Sequence, residues 1–73
     1  MGLSYKLLWK LLIDREMTKE DLRVGAGLSP NTIALMGKDK DVSLSTLRRI
    51  CDFLGVSLSE VVEYTPEKKW DVR

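Results

Sequence analysis

The chain has no histidine, one cysteine, two prolines and one phenylalanine, and each shortage removes a class of explanation. With Cys51 alone there is no intramolecular disulfide. Without histidine there is no plausible zinc set, so neither staple common in small domains is at hand and stability must come from packing. Cys51 has no imidazole to activate it and no Gly-rich phosphate loop is present, so the sequence offers no catalytic, metal or cofactor site. The lack of disulfides fits a reducing cytoplasm. No apolar run approaches the roughly 20 residues of a membrane span, and the N-terminus lacks the basic region, apolar stretch and small-residue cleavage site of a secretion signal. The chain therefore reads as soluble and unprocessed, with no membrane partner. Met1-Gly2-Leu3-Ser4-Tyr5-Lys6 begins like a myristoylation signal, but Lys6 stands where Ser or Thr is required.

What is present is 73 residues, 44% hydrophobic and 32% charged, enough for one small domain and no more. At this size only about 60% of the unfolded chain's surface is buried on folding, so nearly every apolar residue is needed for the core and a large catalytic cleft is excluded. The 12 basic and 11 acidic residues leave a net charge of +1. Bulk charge therefore does not drive polyanion binding; only its placement can.

The apolar spacing predicts five short helices and no strand pair, an all-α domain. Residues 5–13 read as the first helix, with Leu8, Leu11 and Leu12 on one face. Leu7, Trp9 and Ile13 are surplus to that stripe and either cap the core or form a self-association surface. Thr18 is placed to cap a second helix with Glu20 and Asp21 in its first turn, Leu22 and Ala26 point inward, and Gly27 ends it in a left-handed conformation. Ser29 and Pro30 are the N-cap and first position of a third helix, whose inner face carries Ile33 and Met36 and which runs to Gly37. Residues 38–41 form a charged loop. Ser43 caps a fourth helix with a stripe of Leu44, Leu47, Ile50, Cys51 and Leu54, closed by Gly55, while Arg48 and Arg49 form its solvated face. Ser57-Leu58-Ser59-Glu60 has capping-box spacing for a short fifth helix carrying Val61 and Val62 inward, stopped by Pro66. Residues 1–66 thus form the domain and 67–73 a charged tail, in which Trp70 is an unusual residue to leave in water.

Two of these helices, over about 18–26 and 29–37, are joined by a turn around Gly27 and Leu28, which is helix-turn-helix spacing. Leu22, Ala26, Leu28, Ile33 and Met36 can close one apolar junction that fixes the crossing angle. The second helix then projects its N-terminal end outward, where it can enter a DNA major groove.

Over roughly residues 6–62 the chain resembles the lambda-repressor-like family of helix-turn-helix regulators, which includes the Cro-type and XRE-type proteins. The resemblance is carried by Met17-Thr18-Lys19-Glu20-Asp21-Leu22, by Ala26-Gly27-Leu28-Ser29-Pro30-Asn31-Thr32-Ile33, and by Val42-Ser43-Leu44, Leu47, Ile50-Cys51 and Leu54-Gly55-Val56. It implies a compact five-helix domain that binds double-stranded DNA sequence-specifically and regulates transcription, commonly as a homodimer on an inverted repeat. By position, Lys19 would contact a phosphate together with neighbouring backbone N–H groups, and Ser29 would cap the recognition helix or touch a phosphate. Asn31 is the best base reader, able to pair with the N6/N7 edge of adenine, with Thr32 beside it; Leu35 could meet a thymine methyl, and Lys38 and Lys40 would grip the backbone. No small-molecule effector is evident.

The chain also departs from that pattern. Between Val24 and Gly37 no residue is charged, Pro30 occupies a site where many relatives carry a polar reader, and Arg23 replaces the small residue commonly packed between the two helices. Gly25 weakens its helix by roughly 0.5–1 kcal/mol relative to Ala. Specificity is then expected to lean on Asn31, Thr32, apolar contacts and DNA shape, with modest affinity. Glu60, Glu63 and Glu67 gather away from Lys19, Lys38 and Lys40, which predicts a dipolar molecule with a basic DNA face. The competing reading is a protein-interaction module of antitoxin or anti-repressor type, using Leu7, Trp9, Leu35 and Trp70 against a partner.

Overall fold

A computed structural model describes residues 2–66 of the chain; Glu67 and Trp70 lie outside the described residues. The elements in order are strand β1 (Gly2–Ser4), helices α1 (Lys6–Asp14), α2 (Lys19–Ala26), α3 (Pro30–Gly37) and α4 (Leu44–Leu54), a 3₁₀ turn (Leu58–Glu60) and strand β2 (Glu63–Thr65).

Local chemistry sets most of the helix ends. Thr18 Oγ1 accepts from the Asp21 N–H at 3.0 Å while Asp21 Oδ2 accepts from the Thr18 N–H at 2.9 Å, a reciprocal capping box. Ser29 and Ser43 cap α3 and α4 through the Thr32 and Thr46 N–H groups, each at 3.1 Å. Gly27 (φ 71°) and Gly55 (φ 69°) end α2 and α4 in the left-handed region that a side chain would oppose. The α1 C-terminus has no such residue. It turns through Glu16 at φ 58°, and Arg15 reaches across to donate to the Leu54 carbonyl at 2.6 Å, which joins the ends of α1 and α4.

One core holds these elements together. It comprises Tyr5, Leu8 and Leu12 from the N-terminal region, Leu22, Ala26, Leu28 and Met36 from the helix pair, and Leu47, Ile50, Leu54 and Val61 from the C-terminal half. Leu11, Trp9, Ile33, Cys51 and Val62 pack at its margin. Ile13 is 73% exposed and remains outside it. Leu44 also departs from the stripe expected of α4: it is 62% exposed, because it occupies the first turn, beyond the reach of the core that Leu47 begins to fill.

Two sequence expectations need correction. The described residues contain four α-helices, not five, and the molecule is not all-α. After Val61 the chain leaves the helical path, and β2 pairs antiparallel with β1 in the register Gly2↔Thr65, Leu3↔Tyr64, Ser4↔Glu63. The predicted start signal is real, since the Ser57 N–H donates to Glu60 Oε2 at 3.2 Å, but it opens only a three-residue 3₁₀ turn. Val61 is fully buried at that turn. The run Val62, Tyr64 and Thr65 favours extended backbone, and a partner strand supplies the hydrogen bonds that a further helical turn would have supplied. Three-residue strands are too short to show alternation, so nothing in the local pattern marked them.

Gly25, read from sequence as a weak point in α2, has a packing role. A Cβ there would overlap the ring of Phe53 on α4, which lies directly against the glycine backbone. With Phe53→Ala in place, Gly25→Ala is expected to stabilise by about 0.5–1 kcal/mol through helix propensity, whereas with Phe53 present that gain is lost to displacement of the ring. Urea unfolding of the four proteins of this cycle measures the difference.

Tyr5 is the largest fully buried side chain of the N-terminal region. Burial first, then the Asp41 and Asp39 carboxylates, push its phenol above the ordinary value. The folded chain therefore keeps this proton at pH values where the unfolded chain releases it. Its contribution to stability is complete below the ordinary tyrosine range and is lost as pH rises above about 10. Thermal unfolding followed by circular dichroism should show a steeper loss of Tm above that pH for the wild-type chain than for Tyr5→Phe.

Candidate nucleic-acid interface

The turn between α2 and α3 is built from both sides. The Leu28 N–H donates to the Arg23 carbonyl at 2.8 Å, Leu28 is buried beneath the turn, and Arg49 Nη1 on α4 donates to the Gly27 carbonyl at 3.4 Å. Arg49, read from sequence as part of a solvated face, thus braces the turn. No local signal marks it, because Gly27 lies 22 positions earlier in the chain.

At the start of α3, Ser29 Oγ accepts the Thr32 N–H and lies 2.9 Å from Thr32 Oγ1. Ser29 is therefore a helix cap, and the Thr32 hydroxyl is engaged by it on a half-buried side chain. Asn31 is exposed in the same turn, with Pro30 before it. Leu35, one turn on, is half-buried, while Met36 is fully buried on the opposite side. The outward side of α3 is thus apolar and uncharged apart from the amide of Asn31 and the hydroxyls at its N-terminus.

Lysines flank this face. Lys19, the first residue of α2, holds its ammonium 4.4 Å from the centroid of the Trp9 ring, a cation–π contact worth about 0.5–1 kcal/mol at exposed sites. The same Nζ lies 3.8 Å from where a side chain at Gly37 would begin, so Lys19 is close to the end of α3. Lys38 is the C-cap residue of α3, with its N–H on the Leu35 carbonyl, and Lys40 follows in the loop; both are exposed. Trp9 as a platform for Lys19 was not legible in the sequence, since the two residues meet only when α1 folds back beside α2.

Three of the acidic residues nearby have partners within the protein. Asp21 belongs to the capping box, and Glu20 forms a two-pronged ion pair with Arg23 on the same helix. The hydrogen bond from Arg23 holds the Glu20 carboxyl below its ordinary range, against the opposing effect of desolvation. Asp39 Oδ1 accepts from the Tyr5 N–H at 3.3 Å. Cys51 is half-buried on α4, and its thiol is pushed up by burial and then by Asp52 and Glu60, the reverse of what a nucleophile needs. Among the described residues there is no cluster of side chains able to hold a metal ion, and no helix is long and apolar enough to cross a membrane.

With this geometry in view, comparison with known proteins is direct. Residues 7–67 match the model of the Cro/C1-type HTH DNA-binding domain. The structure is similar to the crystal structure of the transcriptional regulator VanUg in its Form II, with a TM-score of 0.86 and 45% sequence identity over 90% of this chain and 88% of that one. No curated protein matches the sequence. The family match over most of the chain and the identity to a solved relative together place the protein: it belongs to the Cro/C1-type helix-turn-helix DNA-binding domain family.

Proposed function

We propose that the chain is a transcriptional repressor that binds an inverted-repeat operator in double-stranded DNA as a homodimer, with α3 of each protomer in the major groove. The observation that carries this reading is the presentation of Asn31: an exposed amide on the first turn of a capped helix whose other side is locked into the core by Met36. Asn31 reads a base edge, with adenine as its natural partner, and Leu35 offers apolar contact to a thymine methyl. Ser29 and Thr32 hold each other and set the pitch of the helix start, so their part in DNA contact runs chiefly through that geometry. Lys19, Lys38 and Lys40 take phosphates on either side of the groove and supply the salt-dependent share of affinity. The similarity to VanUg, which bears the name of a transcriptional regulator, supports a regulatory role. Two copies are needed because one module covers too few bases for tight specificity; their recognition helices would lie about 34 Å apart on successive turns.

A second reading has a specific observation in its favour: Ile13, Val24 and Leu44 are each more than 60% exposed, and a protein partner would cover such side chains. On that reading the helix-turn-helix is a scaffold for a protein partner.

Selection from a random duplex pool, followed by fluorescence anisotropy at several salt concentrations, separates the two. Under the DNA reading a consensus emerges and affinity falls steeply with salt. Lys38→Ala should then weaken binding to all duplexes about equally and reduce the salt slope by about 1, while Asn31→Ala should abolish about 1–3 kcal/mol of discrimination at one base position and leave non-specific binding unchanged. Enrichment of no sequence, with no salt-dependent binding, would instead favour the scaffold reading. Analytical ultracentrifugation of the complex should give two chains per selected site; one chain per site would refute the dimer.

A further inference from the structure

The loop after α3 reads Lys38-Asp39-Lys40-Asp41, so by sequence alone it presents no net charge to DNA. Its conformation places one of the two carboxylates against the protein backbone. Asp39 stands in the left-handed region at φ 56°, which is uncommon for a residue other than glycine and which Asp enters more readily than most. What holds it is Tyr5. The Tyr5 N–H donates to Asp39 Oδ1 at 3.3 Å, and the Tyr5 hydroxyl donates to the Lys40 carbonyl at 2.8 Å, across 34 and 35 positions of sequence. From the other side, the Asp39 N–H donates to the Met36 carbonyl at 3.0 Å and the Lys40 N–H to the Leu35 carbonyl at 2.9 Å, which continues the last turn of α3 into the loop. Tyr5 itself cannot drift: it is fully buried, and Ser4 immediately before it is paired with Glu63 in the strand pair. The two lysines alternate with carboxylates, one of which is turned onto the Tyr5 backbone, and both lysine side chains are exposed.

We infer that Tyr5 is a positioning residue for DNA binding: by drawing the Asp39 carboxylate inward and fixing the Lys40 carbonyl, it sets the loop in the one conformation that presents Lys38 and Lys40 to the phosphates. This rests on the reading of those lysines as backbone contacts given above. It makes the strand pair, which joins residues 2–4 to 63–65 and anchors Tyr5, part of the DNA-binding apparatus.

The test uses a fluorescein-labelled duplex of mixed sequence, about two helical turns long, titrated by anisotropy between about 50 and 200 mM salt. Tyr5→Phe, which removes the bond to the Lys40 carbonyl and keeps the backbone N–H that meets Asp39, should keep the wild-type circular dichroism spectrum, bind several-fold more weakly at the lowest salt, and show a salt slope smaller by about 1, the share of one lysine. In a Lys38→Ala, Lys40→Ala background the same substitution should make no further difference, because Tyr5 acts through those lysines. Should Tyr5→Phe not fold, the pair Asp39→Asn and Asp39→Ala carries the test. Both remove one negative charge, but only Asn keeps an oxygen acceptor and an easy left-handed backbone, so Asp39→Ala should bind more weakly than Asp39→Asn. An unchanged affinity and slope in Tyr5→Phe, a loss that persists in the lysine-free background, or equal binding by the two Asp39 variants overturns the inference. Failure of the wild-type chain to bind the duplex at the lowest salt overturns the DNA-binding reading beneath it instead.

Discussion

Leu22, Ala26, Leu28 and Met36 close a seam between two eight-residue helices, and the rest of the molecule depends on that seam. Helices this short are not stable alone in water, because the first turn fixes several residues for a single hydrogen bond. Burial of their inner faces makes them persist and, in the same act, sets the angle at which α3 leaves the body of the domain. Gly27 allows the turn to be tight enough for Leu28 to be buried under it, and Arg49 ties the outer carbonyl of the turn to α4. The outward face of α3 is held by apolar packing behind it and by the Ser29–Thr32 bonds at its start.

The charges follow the same logic of prior commitment. A total of +1 is a poor asset for binding a polyanion, yet three acids close to the helix-turn-helix are engaged within the protein: Asp21 at the start of α2, Glu20 with Arg23, Asp39 with the Tyr5 backbone. Lys19, Lys38 and Lys40 are exposed beside them. Lys19 is an intermediate case, since the Trp9 ring attracts its ammonium without neutralising it. Its charge remains available while its position is restricted, which lowers the entropy lost when a lysine is immobilised on a partner.

Much of this could be read in advance because it depends on neighbours in sequence. The caps at Thr18, Ser29 and Ser43 and the left-handed glycines at 27 and 55 involve contacts of a few residues, and all five appear where the residue types put them. Leu44 and the fifth helix show the limit of the same method. A stripe of apolar residues does not reveal where the core stops, and a capping box signals a start without saying how many turns follow. Val61 is buried at the end of a single turn, and from there the chain had a better partner in β1 than in its own continuing helix.

The sequence by itself determined where three helices begin, where two of them end in glycine, most of the residues they bury, and that two of them form a helix-turn-helix with Asn31 on the outward first turn. These are consequences of backbone geometry and hydrogen bonding over three or four residues. Only the tertiary structure decided that residues 2–4 and 63–65 pair as strands, that Trp9 lies under Lys19, that Arg49 braces Gly27, and that Tyr5 holds the loop of Lys38 and Lys40. Each of these joins groups ten or more residues apart, and such contacts form only after the core has brought distant segments together, so no local pattern of residues records them.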